Sequence, residues 1–502
     1  MNRTCLAVRL VVSAMVTLLS LPMIAQGKEW IVIFHQQGEI PNGIERSVSA
    51  AGGSIVATVP EVGALLAVSG DPNFVAAMSA NPKVSDVVEN IELQMIPPGD
   101  RMSLVAADPT VAGDGPVQPP GDDTQTGPDP FYAFQWDKKR MRASNQGSYA
   151  VQQGRPDVVV AVLDTGGEAG HPDIAPNLDV ARSRSFFPVQ PSPDGDPNPA
   201  AWDDKNGHGS WCLSAVAAPI NGIGMVGVAP RVRLVALKVL GNNGSGNLFA
   251  LAQALVYCGV NKFDVASMSL SAYVPHAGGG QQAIKIVQRA VNFARNNGVT
   301  PIAAMSNEGL DVSDGRTFGP FVVVPAELDG VIGVSATGYF NLKASYSNYG
   351  VGKTDISAPG GDYGVQAPAS NYPGLGSVLG AWAPDNPSLP GALYVFASGT
   401  SMACPNAAGV CALIISQYGD FTPDNSRKPH LPPQTVEAIL QRTANNQPCP
   451  EPREVTYFAL SPPFPAGTQV GPANQRCQGE AGYNNFYGKG IVDALKAVTN
   501  TQ

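Results

Sequence analysis

Histidine and cysteine are scarce in this chain, five and seven among 502 residues. No two cysteines are spaced Cys-x-x-Cys and no His-Glu-x-x-His occurs, which removes the common zinc frameworks. No long basic run is present, and the formal net charge is −9. That balance argues against nucleic acid as a partner and against adsorption to anionic membranes. Beyond the first 21 residues no apolar run approaches the roughly 20 residues that span a bilayer, so no membrane anchor is expected.

What is present is a long chain with 44% hydrophobic and 14% charged side chains. It can bury a sizeable core and form more than one folding unit. Fifty-five Gly and 45 Pro point to many tight turns and to linker. Residues 1–25 read as a signal peptide: Arg3 and Arg9 precede or flank the apolar run Leu10–Leu21, and Ala25 offers a small residue for cleavage. A secreted protein, extracellular or periplasmic, is expected, and export permits disulfides. Cys404 and Cys411, seven residues apart in one apolar helix, lie ~10 Å from each other and cannot pair. Cys449 and Cys477 bracket a Pro- and Gly-rich loop and are expected to pair. Cys212 and Cys258 are expected as buried thiols.

Residues 26–97 carry the pattern strand, helix, strand, strand, helix, strand. The strands are Glu29–Phe34, Ser54–Val59, Ala64–Val68 and Val84–Ile96, and the helices are Gly43–Ala51 and Asn73–Ala80, the latter behind Asp71-Pro72. This is a small α+β, ferredoxin-like unit. Residues 98–127, dense in Pro, Gly and Asp, form a linker open to proteolysis. Over 128–502 apolar strands (Val158–Leu163, Val232–Val239, Val265–Leu270) alternate with helical stretches such as Leu248–Tyr257. The class is α/β, a parallel sheet covered by helices on both faces. Sheets of this kind carry their sites at the carboxyl ends of the strands.

Three junctions hold candidate chemistry. Asp164 ends the buried run that starts at Val158, where a charge needs a partner. His208 stands between Gly207 and Gly209 at the head of an apolar helix, and the glycines let other groups approach the ring. Ser401 opens another apolar helix, with Pro405 in its first turn. Unpaired N–H groups and the positive dipole end favour a developing anion there. Singly, these are a turn-starting carboxylate and two helix caps. Together, Asp, His and Ser in that chain order make one of the known orders of a serine-hydrolase triad. Asn307, after the run Thr300–Ser306, adds a side-chain N–H able to bind an oxyanion beside the Ser401 amide. Gly222-Ile-Gly-Met-Val-Gly227 matches a dinucleotide fingerprint literally, but Val228-Ala-Pro230 stands where its helix should continue.

From about Asp129 onward the chain resembles the subtilase (subtilisin-like serine protease) family, through Asp164-Thr-Gly166, His208-Gly209 and Gly399-Thr-Ser401-Met-Ala403. Gly227-Val-Ala-Pro230, Ser269-Leu270, Ser357-Ala-Pro-Gly360 and the stretch Tyr487–Asp493 agree. The resemblance implies a subtilisin-like three-layer fold behind a small unit that acts as the chain's own inhibitory propeptide. It implies a secreted, autoprocessing serine endopeptidase, a monomer acting on protein or peptide substrates. Ser401 would be the nucleophile and His208 the general base and then acid. Asp164 would orient His208, and Asn307 would be the oxyanion donor. Ser269, Leu270 and Ser271, with Leu240 and Gly241, resemble the two edges between which substrate is added as a strand. Structural Ca²⁺ is implied on Asp173, Asn221 and the carbonyls of Pro219, Ile223 and Met225. Trp211, Ser306 and Asn406 stand where the family has His, Gly and His. None belongs to the triad, so these departures bear on pocket shape.

Overall fold

The computed structural model describes residues 27–96, 105–106, 126–186, 201–316, 318–362, 366, 374–422, 429–457 and 474–501. The signal-peptide expectation and most of the 98–127 linker lie outside the described residues.

The small unit runs β1 (Lys28–Phe34), α1 (Ile44–Ala50), β2 (Gly53–Val59), β3 (Ala64–Ser69), α2 (Phe74–Ser79) and β4 (Val84–Glu89). Its sheet is antiparallel, in the order β2-β3-β1-β4. Alternation along β1 sends Val32 and Phe34 to one face, with Ile44, Val48, Phe74 and Met78 of the two helices. Ile31 and Ile33 go to the other face, into a core shared with the large unit. The apolar stretch 84–96 is not one strand. Strand β4 stops at Glu89, and β5 (Leu93–Gln94) leaves for a pairing some 150 residues further along the sequence. Strand β6 is the described pair Val105–Ala106.

The large unit continues with α3 (Trp136–Arg140), β7 (Val159–Asp164), β8 (Arg184–Ser185), α4 (His208–Ala217), β9 (Arg233–Lys238), β10 (Ser245–Gly246) and α5 (Leu248–Val260). Next come β11 (Val265–Met268), β12 (Ala272–Pro275), α6 (Gly280–Asn296), β13 (Thr300–Ala304), β14 (Phe321–Val324), β15 (Ile332–Thr337) and β16 (Ile356–Pro359). Then follow β17 (Val378–Ala381), β18 (Tyr394–Ala397), α7 (Thr400–Tyr418), α8 (Pro433–Arg442) and α9 (Ala494–Thr499). Seven parallel strands lie in the order β16-β15-β13-β11-β7-β9-β8. Both faces are covered, as the unbroken apolar runs require. Val160 and Val162 of β7 pack with α4 and α7, while Val159, Ala161 and Leu163 pack with α5 and α6. The expected α/β architecture is borne out.

Candidate active site

The parallel sheet delivers Asp164 at the carboxyl end of β7, a fully buried carboxylate. His208 arrives at the first residue of α4, also fully buried. Its Nδ1–H donates to Asp164 Oδ1 at 2.8 Å, and that oxygen also accepts from Thr165 N at 2.7 Å. The flanking glycines permit this approach. Gly207 has φ 94°, and a Cβ there would meet the Trp382 ring at 2.4 Å; one on Gly209 would meet Gly166 O at 2.2 Å. Asp204 organises the turn before the histidine. Its Oδ1 accepts from Gly207 N and Thr165 Oγ1, and its Oδ2 from Ser210 N, at 2.8–2.9 Å.

Ser401 stands in the first turn of α7, a helix buried from Thr400 to Ser416. Its hydroxyl donates to Ser269 O at 3.1 Å. His208 Nε2 is buried without a hydrogen-bond partner. The structure thus joins Asp164 to His208 directly and leaves the ring's second nitrogen and the serine hydroxyl unlinked. Cys212 touches both residues, at the Asp164 side of the ring and at the Ser401 backbone. Its Sγ is 3.9 Å from His208 Nδ1 and 3.7 Å from Ser401 O. Pro405 explains the second contact: it lacks the N–H that would bond the carbonyl four residues back, and the thiol occupies that acceptor. Burial pushes the Cys212 thiol well above its usual range, so it stays protonated.

Asn307 follows β13. Its Oδ1 accepts from Thr400 N at 2.8 Å and Thr400 Oγ1 at 2.9 Å, which fixes the amide and leaves Nδ2 on the side of Gly399. Thr400 was not among the sequence candidates, although it adjoins Ser401.

Ser271 and the hairpin that follows Leu240 are hydrogen-bonded to an earlier segment of the chain itself. Strand β5 pairs antiparallel with β10. Met95 N and Ile96 N donate to Gly244 O, and Ser271 N donates to Met95 O at 2.9 Å. Ser271 therefore flanks residues 93–96 on one side. Gly244–Gly246 flank them on the other, and Leu240 and Gly241 form the far arm of the same tight hairpin: Gly241 N donates to Ser245 O at 2.8 Å. Ser269 and Leu270 are buried.

The five predicted metal residues gather only in part. Asp173 Oδ1 accepts from Asn221 Nδ2 at 2.9 Å, while Oδ2 accepts from Met225 N at 2.9 Å and the Tyr394 hydroxyl at 2.8 Å. Ile223 presents its N–H to Asn221 Oδ1 at 3.1 Å. Pro219 is buried next to this loop. A sixth residue, Asp129, completes the neighbourhood. Its Oδ1 accepts from Gly222 N at 2.7 Å, and its Oδ2 is buried with no partner. Burial, with the charge of Asp173 behind it, holds the Asp129 carboxyl above its usual range. An orphaned carboxylate oxygen beside a second carboxylate suits a hard cation.

Cys449 and Cys477 form a disulfide with Cα atoms 5.6 Å apart, while Cys212, Cys258, Cys404 and Cys411 are buried thiols. Trp211 Nε1 donates to Val395 O at 3.2 Å. Asn406 is tied to buried Lys138 at 2.6 Å and to Asp137 at 3.2 Å. Gly222–Gly227 leads into no helix, so the dinucleotide fingerprint has no structural counterpart.

Residues 155–490 match the subtilase family. M-protease of Shouchella clausii (strain KSM-K16) is 37% identical over 257 residues, 51% of this chain and 53% of that protein. Subtilisin Savinase of Lederbergia lenta is 36% identical over the same length, 51% of this chain and 76% of that protein. The chain therefore spans about half the length of M-protease. Among solved structures, the epidermin leader peptide processing serine protease of Staphylococcus aureus superposes with a TM-score of 0.69 at 19% identity. It covers 95% of this chain and 100% of that one. The fold, the family match and the paired Asp164 and His208 agree: the chain belongs to the subtilase family.

Proposed function

We propose that this chain is an exported, autoprocessing serine endopeptidase. Ser401 attacks the substrate carbonyl, and its proton passes to His208 Nε2. Asp164 holds the opposite nitrogen and stabilises the imidazolium. Asn307 Nδ2 and the Ser401 N–H receive the oxyanion. His208 then returns the proton to the leaving amine, and water repeats the sequence on the acyl-enzyme. The observation that carries this reading is the 2.8 Å Asp164–His208 bond with His208 Nε2 free of any partner. Reaching Nε2 requires the Ser401 hydroxyl to leave Ser269 O by rotation about its Cα–Cβ bond. Hydrogen bonds of this kind commonly tighten only when substrate is present.

Substrate is read as an added strand between Gly244–Gly246 and Ser271, with Leu240 and Gly241 supporting the first edge from behind. Leu93–Ile96 now lie in that place, which supports residues 26–97 as an inhibitory propeptide. Both bonds after Ile96 are to proline (Pro97, Pro98) and lack the N–H of an ordinary peptide. The maturation cut is accordingly placed beyond Pro98, within the linker. The proposed mature enzyme is a secreted monomer.

Structural Ca²⁺ would be held by Asp129 and Asp173, with the Asn221 amide oxygen and carbonyls of Pro219, Ile223 and Met225. It would supply the positive charge that two adjacent carboxylates lack. Chelation is expected to lower the melting temperature of the mature enzyme, and Asp129→Asn to remove that sensitivity.

The test is digestion of a denatured protein by the matured enzyme. Internal peptide bonds are cleaved by the wild type. The Ser401→Ala chain cleaves none and accumulates uncut through its linker. Turnover of simple esters alone, or clean processing of Ser401→Ala without added protease, contradicts the proposal.

A further inference from the structure

The turn that carries Asn307 is held in a shape its own sequence disfavours. Ser306 has φ 77°, in the left-handed region where a residue with a Cβ is strained. Such strain persists only where the surroundings over-determine it. Here the stretch Tyr346–Asn348 does so. Asn348 N donates to Ser306 O at 3.1 Å, and Gly309 N donates to Tyr346 O at 2.6 Å. Asn348 Oδ1 accepts from Glu308 N at 3.2 Å and Leu310 N at 2.9 Å. The Glu308 carboxylate folds back over the same turn. Its Oε2 accepts from Asn307 N at 2.9 Å, from Asn348 Nδ2 at 3.2 Å and from the Tyr273 hydroxyl of β12. Asn348 Nδ2 also donates to Tyr273 Oη at 2.8 Å. Burial pushes the Glu308 carboxyl up to about 7, against the three N–H donors (of Asn307, the Asn348 side chain and its own backbone) that favour its charged form.

We propose that Asn348, acting with Glu308 and Tyr273, is a positioning residue for the oxyanion donor. It locks residues 306–310 so that Thr400 engages Asn307 Oδ1 and Asn307 Nδ2 is presented beside Ser401. Asn348 is fully buried and acts through the turn, not on the reacting atoms. The inference rests on the role proposed above for Asn307.

A double-variant cycle on the matured enzyme tests it with a peptide substrate. Asn307→Ala alone is expected to lower kcat by about 10²–10³, the loss established for the corresponding donor in subtilisin and not for this chain. Asn348→Ala is expected to lower kcat about 10–100-fold with KM within about twofold, and to cost less than about twofold once Asn307 is already Ala. Ser306→Gly should restore most of the Asn348→Ala loss, because glycine takes φ 77° without strain. Losses that multiply fully in the double variant, or none in Asn348→Ala, overturn the proposal. Tyr273→Phe removes a single hydroxyl and should show the same kcat-selective loss, smaller, should Asn348→Ala fail to fold. Amide hydrogen exchange decides the matter independently of turnover. In full-length Tyr273→Phe, residues 306–310 must exchange faster than in the wild type. Unchanged exchange overturns the positioning role, whereas a wild type that exchanges as expected but cleaves nothing overturns only the reading of the site.

Discussion

The large unit covers both faces of its sheet with its own helices, whereas the small unit covers only one face of its own. The seven-stranded sheet has α4 and α7 on one face and α5 and α6 on the other. The four-stranded sheet has α1 and α2 on one face only. Its second face, with Ile31, Ile33, Ala64 and Leu66, is packed into the core that holds α5 and α6. A sheet face of that composition is costly to leave in water, at roughly 25 cal/mol for each Å² of apolar surface. The small unit therefore depends on the large one for its order. If it is the inhibitor proposed above, the surface that holds it in place is also the surface that keeps it folded.

That asymmetry can be broken in graded steps, each read as inhibition of the mature enzyme by the small unit supplied in trans. Ile33→Asp sets an unpaired charge in the shared core and should weaken inhibition by about 10²-fold or more. Val32 lies on the opposite face, so its loss should unfold the small unit and not merely detach it. Arg289→Ala comes next. Its guanidinium donates to Phe34 O at 3.0 Å and Val62 O at 2.9 Å, so a loss of about tenfold or more is expected. Lys285→Ala should matter least. Its 2.8 Å pair with Asp86 is partly exposed on both sides, and a change of only about two- to fivefold, vanishing in 1 M salt, is expected.

The large unit offers a smaller contrast in pH. His430 Nδ1 donates to Asp264 Oδ1 at 2.7 Å and ties a late loop to the sheet. The bond to Asp264 raises the histidine above its ordinary value, and burial raises Asp264 as well. A folded-state value above the unfolded one gives stability that is complete below about pH 6.5 and is lost as pH rises through the folded value. Asp264 acts with the same sign lower down, in the carboxylate range. The melting temperature of the mature enzyme should fall as pH rises from 6 through 8, and His430→Gln should flatten that slope. An unchanged slope contradicts the assignment.

Much of the site was legible because each residue sits where a local pattern breaks. Asp164 ends an apolar run, and His208 is held between glycines whose Cβ atoms would collide with Trp382 and Gly166. The disulfide was legible from two cysteines bracketing one loop. What escaped depends on distant partners. Nothing within 84–96 marks the break after Glu89, since β5 is drawn out by β10. Asp129 gains its meaning from Gly222, more than 90 residues later. Leu240 and Gly241 stand beside Gly244–Gly246 in sequence, but the hairpin turn decides that Gly244–Gly246 pair with residues 93–96. Asn348 carries no local signal, because its four turn-locking bonds all run to residues about 40 positions earlier.

The most direct test of the central claim is covalent labelling of the mature enzyme with a fluorophosphonate, read by peptide mass. Label on Ser401 that disappears in His208→Ala and persists in Cys212→Ala is the predicted result. Label on another residue, or undiminished label in His208→Ala, would show that Asp164 and His208 do not activate the Ser401 hydroxyl.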